Sequence, residues 1–260
     1  MTNLRIANWN INGLRARLPR VLAFLQRHQP QVVLLQETKI PDELFPLESF
    51  AALGYQAVFY GQKGFNGVAI LSRLPLDNVQ KGFGHAPEDE QKRLLAATVA
   101  GIRLVNVYIP NGEAPNSPKF LYKLNFFERL QTYLQAHSPR DKLLLAGDFN
   151  VAPQSEDVYS AADMEGHIGF HPVERQALAQ LKTWGWVDQF RAFESRGGVF
   201  SWWDYRAGSF ERNKGLRIDH IWTSPPLAAH ATRCWIDKDE RAGEKPSDHA
   251  PVLAEFAIME

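Results

Sequence analysis

Short apolar runs separated by polar loops dominate the chain. Runs of aliphatic and β-branched residues at 4–9, 32–36, 68–71, 94–99, 104–109, 143–146, 218–222 and 252–256 predict β-strands. Most are apolar at successive rather than alternate positions, so both faces of these strands must be covered. Elsewhere the period changes to that of a helix. Behind Pro19, the residues Val21, Leu22, Phe24 and Leu25 form one apolar stripe that predicts a helix over 19–28. Phe120, Leu124, Phe127, Leu130 and Leu134 predict another over 117–137, and Ala177, Leu178 and Leu181 a third over 172–184. Strands and helices alternate with no Pro/Gly/Ser linker, fixed-period repeat or low-complexity tract. The expectation is one α/β domain over residues 1–260, its strands sandwiched between helices or against another sheet.

The polar residues fall where an apolar strand should not want them. Asn10 and Asn12 follow the first run, Glu37 the second, and Asp148 and Asn150 close LLLAGDFN. Asp219 lies in LRIDHIW, and Asp248 and His249 come just before the last run. Any one of these could simply open a loop through an Asx turn. As a set at strand ends, where α/β proteins collect ligands, they form a coherent chemistry. Carboxylates and amide oxygens without cysteine make a hard oxygen site suited to Mg²⁺ or Mn²⁺, with Glu37, Asp248 and Asn12 as candidate ligands. Asp219 and His249 have the types of an orienting carboxylate and its imidazole. A metal beside such a pair suits attack of water on a phosphodiester. No G-x-S-x-G elbow, P-loop or strand-following G-x-G-x-x-G is present.

Composition narrows the classes. The 260 residues carry 29 Lys plus Arg against 29 Asp plus Glu, a net charge of zero, so a protein that coats nucleic acid non-specifically is disfavoured. A local basic face around an acidic centre remains compatible with that balance. Cys234 is the single cysteine, which rules out an intramolecular disulfide framework and points to a reducing compartment, the cytoplasm. It reads as inert packing. No run approaches the ~18 apolar residues of a membrane span, and MTNLRIANWN lacks a secretion pattern.

The strings WNINGLRAR, LQETK, NVYIPNGE, GDFNVAP, FSWWDYR, GLRIDHI and KPSDHAPV occur in an order and spacing that resembles bacterial exonuclease III. This is the class II abasic-site endonuclease family, within the endonuclease/exonuclease/phosphatase superfamily. The likeness runs from about residue 4 to 256. The resemblance implies a four-layer α/β sandwich, two mixed β-sheets packed face to face and flanked by helices. It implies a Mg²⁺-dependent (or Mn²⁺-dependent) DNA repair phosphodiesterase that cuts 5′ to abasic sites in double-stranded DNA and removes 3′ blocks and nucleotides, acting as a monomer. Glu37 would be the principal metal ligand, assisted by Asn12 and Asp248, with Asn10, Asp148, Asn150 and His249 around the ion. Asp148 would orient or deprotonate water, Asn150 would hold water or phosphate, and His249, held by Asp219, would bind the scissile phosphate. Tyr108 would lie against that phosphate with Asn111 beside it. The nucleophile could come through Asp148, Tyr108 or metal-bound water. Asn12 stands where some relatives have Asp.

For substrate recognition, the resemblance assigns Trp202, Leu216 and Ile218 to a tight apolar pocket for a base-less deoxyribose, with residues 166–170 on its border. Gly169 would leave room for an intact strand to pass. Arg15, Arg17, Lys39, Lys63, Arg206, Arg212, Lys214 and Arg217 would contact the DNA backbone, positioning it without reading sequence. The other histidines, His85 and His220 among them, receive no role. Two competing readings are a catalytically inactive nucleic-acid-binding relative and a lipid or inositol phosphatase of the same superfamily. Retention of Glu37, Asp148 and His249 argues against the first, and the GLRID and FSWWDYR strings against the second.

Overall fold

The computed structural model describes residues 2–84 and 91–258, so His85 lies outside the described residues. In chain order the strands are β1 (Thr2–Asn10), β2 (Val32–Gln36), β3 (Gln56–Tyr60), β4 (Val68–Ser72), β5 (Asp77–Lys81), β6 (Leu94–Val99) and β7 (Ile102–Tyr108). They continue with β8 (Leu143–Asp148), β9 (Val187–Asp188), β10 (Trp202–Trp203), β11 (Gly215–Leu216), β12 (Asp219–Thr223), β13 (Ala231–Ile236) and β14 (Val252–Ile258). The helices that cover them are α1 (Leu14–His28), α2 (Leu47–Ala51), α3 (Pro118–Gln135), α4 (Ala161–Met164), α5 (Pro172–Lys182), α6 (Gln189–Phe193) and α7 (Pro225–Ala228).

The strands form two six-stranded mixed sheets. One runs β13-β14-β1-β2-β4-β3, the other β5-β6-β7-β8-β12-β9, with β10 and β11 as a separate ribbon. Ile6, Leu34 and Ile70 of the first sheet pack against Leu104, Leu144 and Ile221 of the second in one apolar core. Outside the first sheet, Val33 and Leu35 pack beneath Phe24 and Leu25 of α1 and Phe50 of α2. Outside the second, Val105 and Leu145 meet Phe126 and Leu130 of α3 and Leu178 of α5. The layers are therefore helix, sheet, sheet, helix, and the strands buried on both faces are the ones whose sequences are continuously apolar. No helix among the described residues is long and apolar enough to cross a membrane.

Two expectations are corrected. The first helix starts at Leu14, not at Pro19, which lies inside it. Gly13 and Leu14 donate their N–H groups to the carbonyls of Glu37 and Thr38 at 2.7 and 2.9 Å, which pins the chain at the earlier start. Leu14 is buried and extends the stripe of Val21 and Leu25 by seven positions, two turns earlier. The proline, past the first turn, then deprives the helix of one ladder bond. The apolar runs also missed β3, β5, β9 and β13, the four edge strands of the two sheets.

Candidate active site

The parallel pair β1–β2 ends with Asn10 beside Gln36, so Asn10 and Glu37 emerge together from the first sheet. In the second sheet Asp148, the last residue of β8, lies between Tyr108 on β7 and Asp219 on β12. Face-to-face packing brings these two ends together. Asn10 Nδ2 donates to Glu37 Oε1 at 2.9 Å and, across the sheets, to Asp148 Oδ2 at 2.8 Å. Asn12, Glu37, Lys39 and Asn150 have φ between 45° and 53°, a left-handed conformation that non-glycine residues adopt at some cost. Strain of this kind gathers where side chains are aimed for use.

His249 precedes β14 and bridges the carboxylates of the second sheet. Its Nδ1 lies 2.8 Å from Asp219 Oδ2 and its Nε2 3.7 Å from Asp148 Oδ2. Burial alone would favour the neutral ring, but the Asp219, Asp148 and Asp248 carboxylates outweigh it and push the imidazole up to about 10. Ser201, a residue that the sequence reading passed over inside FSWWDYR, donates to Asp219 Oδ2 at 2.6 Å and accepts from the Asp219 N–H. Burial pushes the Asp148 carboxyl up to about 7, against the pull of His249 and with help from Asp219 and Glu37. Tyr108 is driven well above the ordinary phenol range by burial and by the Glu37 and Asp148 carboxylates. At neutral pH it is a hydrogen-bond donor.

Glu37, Asp148 and His249 offer ligand atoms within 4.8 Å of one another. Asn12 and Asp248 are instead engaged with each other, Asn12 Nδ2 donating to Asp248 Oδ1 at 2.9 Å, while Trp202 Nε1 donates to Asp248 Oδ2 at 3.0 Å. The Lys39 ammonium sits 2.7 Å from Glu37 Oε2 and also bonds Asn12 Oδ1. It holds the half-buried Glu37 carboxyl below its usual range against the opposing effect of burial. A positive charge thus already stands against two oxygens that the resemblance gives to a metal, and the donor set fits a hard divalent cation. On the other side Asn150 donates to Ile109 O at 2.9 Å and accepts from Asn111 Nδ2 at 3.1 Å.

A pocket of about 300 Å³ is lined by Glu37, Tyr108, Asn111, Asp148, Asn150, Asp248 and His249 together with Ile168, Gly169, Trp202, Leu216 and Ile218. Gly169 has φ 88°, and a Cβ there would stand 3.2 Å from Leu216 Cδ1. A wider groove of about 1000 Å³ meets the pocket at Glu37, Tyr108 and Asn111, bordered by Lys39, Arg93 and Lys119.

The expected basic contacts divide. Arg15, Lys63, Arg206, Arg212 and Lys214 are exposed, outside the pocket lining. Arg17 is engaged internally, donating to Asn12 O at 2.6 Å and to the Tyr205 hydroxyl at 3.1 Å. Arg217 is corrected outright. It is fully buried, with Nε 2.6 Å from Asp157 Oδ1 and Nη2 2.9 Å from Asp188 Oδ2, so it cannot meet DNA. His220, on the face of β12 opposite Asp219, completes that cluster: Arg217 Nη1 lies 3.0 Å from its Nδ1, and its Nε2 lies 3.1 Å from Val151 O. Lys123 of α3 also went unnoticed in the sequence. Fully buried and paired with Glu174, it donates to Asn111 O at 3.1 Å and Asn150 O at 2.8 Å, tying down both site loops.

Comparison with known proteins identifies the family and the fold. The Endonuclease/Exonuclease/phosphatase family matches residues 7–249. Exodeoxyribonuclease III of Haemophilus influenzae is 39% identical over 97% of this chain and 100% of its own. Among solved structures, an AP endonuclease from Archaeoglobus fulgidus superposes with a TM-score of 0.95 at 40% identity, covering 98% of this chain and 100% of that one. A 3′ phosphatase from Neisseria, solved with a product DNA hairpin, gives 0.95 at 42% identity over the same shares. With the strand-end carboxylates, the His249 bridge and a match over nearly the whole length, the chain belongs to the endonuclease/exonuclease/phosphatase family.

Proposed function

We propose that the protein is a divalent-metal-dependent DNA repair phosphodiesterase of the exonuclease III type. It cuts double-stranded DNA 5′ to abasic sites, leaving a 3′ hydroxyl, and removes 3′ phosphates and nucleotides. The observation that carries this reading is the Asp219–His249–Asp148 bridge, whose Asp148 and His249 line, with Glu37, a pocket that also has the apolar Ile168, Trp202, Leu216 and Ile218 in its lining. The polar part of that lining suits phosphate chemistry and the apolar part a sugar without a base.

Mg²⁺ would be held by Glu37, with Asn10, Asn12, Asp148, Asn150, Asp248 and His249 around it, and Mn²⁺ is the alternative. When bound it neutralises negative oxygens of the phosphate. His249, positive at neutral pH, binds the scissile phosphate and offsets the charge that grows on it. Asp148 takes the proton of the attacking water, a role that its elevated pKa near neutrality suits. The water oxygen bonds to phosphorus as the bond to the 3′ oxygen breaks, and that oxygen takes a proton from solvent to leave as the 3′ hydroxyl. Tyr108, Asn111 and Asn150 supply hydrogen bonds to the phosphate or the water. Trp202, Leu216 and Ile218 take the deoxyribose, which flips easily because no base must be unstacked. Gly169 keeps the pocket rim low enough for an uninterrupted strand. Arg15, Lys39, Arg212 and Lys214 steady the backbone.

Defined duplexes carrying an abasic site, a 3′ phosphate or a recessed 3′ hydroxyl, incubated with and without Mg²⁺, test the reading. Metal-dependent cleavage yielding a 3′ hydroxyl is expected. Inactivity on all three with hydrolysis of a phosphoinositide would overturn it.

A further inference from the structure

Close to the catalytic end, the core between the sheets contains a chain of amides. Asn8 on β1, Gln36 on β2 and Asn106 on β7 are fully buried. Gln36 Nε2 donates to Asn8 Oδ1 and to Asn106 Oδ1, each at 2.7 Å. Asn8 Nδ2 crosses to the second sheet and donates to Gly147 O of β8 at 3.1 Å. Asn106 Nδ2 crosses the other way and donates to Leu35 O and Ala69 O, at 3.0 and 2.9 Å, which are paired positions of β2 and β4. Each sheet therefore sends one amide into the backbone of the other, and Gln36 joins the two. Gly147 itself is required within its own sheet, since a Cβ there would lie 1.8 Å from Val107 O on the neighbouring strand β7.

Every member of the chain stands one or two residues before a site residue, on the same strand or, for Glu37, just past its end. Asn8 precedes Asn10, Gln36 precedes Glu37, Asn106 precedes Tyr108, and Gly147 precedes Asp148. Aliphatic packing between sheets is non-directional and resists sliding only weakly. Hydrogen bonds are short and angular, and a buried amide that loses its partner is costly. An apolar filler would hold the sheets together without setting their offset, so the amides supply position.

We propose that Asn8, Gln36 and Asn106 are positioning residues, a clamp between the sheets that sets the distance from Asn10 and Glu37 on one side to Tyr108 and Asp148 on the other. This rests on the phosphodiesterase reading, which wild-type cleavage in the same assay tests separately. The variant is Gln36→Met, compared with Leu104→Ala, which opens the same inter-sheet core on β7 without touching the amides. Both are assayed at a temperature where circular dichroism shows them folded. Gln36→Met is expected to lower kcat on the order of 10- to 100-fold, the cost of roughly ångström misplacement, with KM and DNA affinity unchanged within about two-fold. Leu104→Ala is expected to lose stability but keep kcat within about three-fold. If Gln36→Met does not fold, Asn8→Ser, which removes both the bridge to Gly147 and the acceptor for Gln36, replaces it in the same comparison. Equal kcat losses in the amide and leucine variants, or a loss confined to KM, would overturn the proposal.

Discussion

Asp219 stands directly opposite Asp148 across the antiparallel β8–β12 ladder, and His249 is lodged between their carboxylates. Facing like charges destabilise a sheet. Here the imidazole, pushed up to about 10, supplies the missing positive charge and is itself fixed by the pair.

Asp219→Asn should therefore leave the fold and DNA affinity nearly intact while kcat falls by about 10²- to 10⁴-fold, the range bounded by a single charge-stabilising donor and by an orienting carboxylate in a protease triad. His249→Asn should cost at least as much. The double variant should lose little more than the worse single one, because the two act as a unit. Steady-state kinetics on one duplex checks the cycle, and additive losses would separate the partners.

Glu37→Gln removes the most accessible anionic oxygen of the Glu37, Asp148 and His249 cluster. Cleavage should drop by orders of magnitude at low Mg²⁺ and partly recover as Mg²⁺ is raised. EDTA should abolish wild-type cleavage. Titrating rate against Mg²⁺ for both proteins is the measurement, and full variant activity at sub-millimolar metal would contradict Glu37 as the principal ligand.

With zero net charge, DNA affinity must come from a local basic face. Arg212 and Lys214 are exposed near the Trp202 ribbon, so replacing both with Ala should reduce the slope of log affinity against log salt by up to about 2. Affinity measured at four salt concentrations would show it. An unchanged slope would place the DNA elsewhere.

His220 gives the pH prediction. Burial first, then the Arg217 guanidinium, lower its pKa from 6.5 to about 4. Its ring is neutral in the folded protein, accepting from Arg217 at Nδ1 and donating to Val151 O from Nε2. A depressed folded pKa means that stability is fully present above the unfolded value and is lost as pH falls toward the folded one. Between pH 6.5 and about 4 the loss should reach about 3 kcal/mol. The difference in unfolding free energy between wild type and His220→Gln should shrink across that window. A constant difference would show that His220 does not titrate on unfolding there.

The eight apolar runs read from the sequence are the eight interior strands of the two large sheets, and the strands of those sheets that it missed are their four edges. Interior strands are covered on both faces and paired on both sides, so mostly apolar sequence serves them, with the few buried amides satisfied by one another and by the backbone. An edge strand such as β5 is largely exposed and keeps polar residues, and nothing local marks it as a strand. The site residues were legible for the converse reason: Asn10, Glu37, Asp148 and Asp219 are polar groups at the ends of strands that burial keeps apolar. Which of them meet was not legible. The sequence cannot show that Glu37 faces Asp148 and His249 while Asn12 turns to Asp248, because these contacts depend on how two separate sheets are offset. Charge alone made Arg217 look like a DNA contact, and an apolar stripe hid Lys123. Asp157 and Asp188 lie 60 and 29 positions from Arg217, and Glu174 lies 51 from Lys123. By itself the sequence determined the layered α/β fold and the chemistry gathered at its strand ends. Only the tertiary structure decided which charges are buried and paired and which face the solvent, because that pairing is made between residues far apart in the chain.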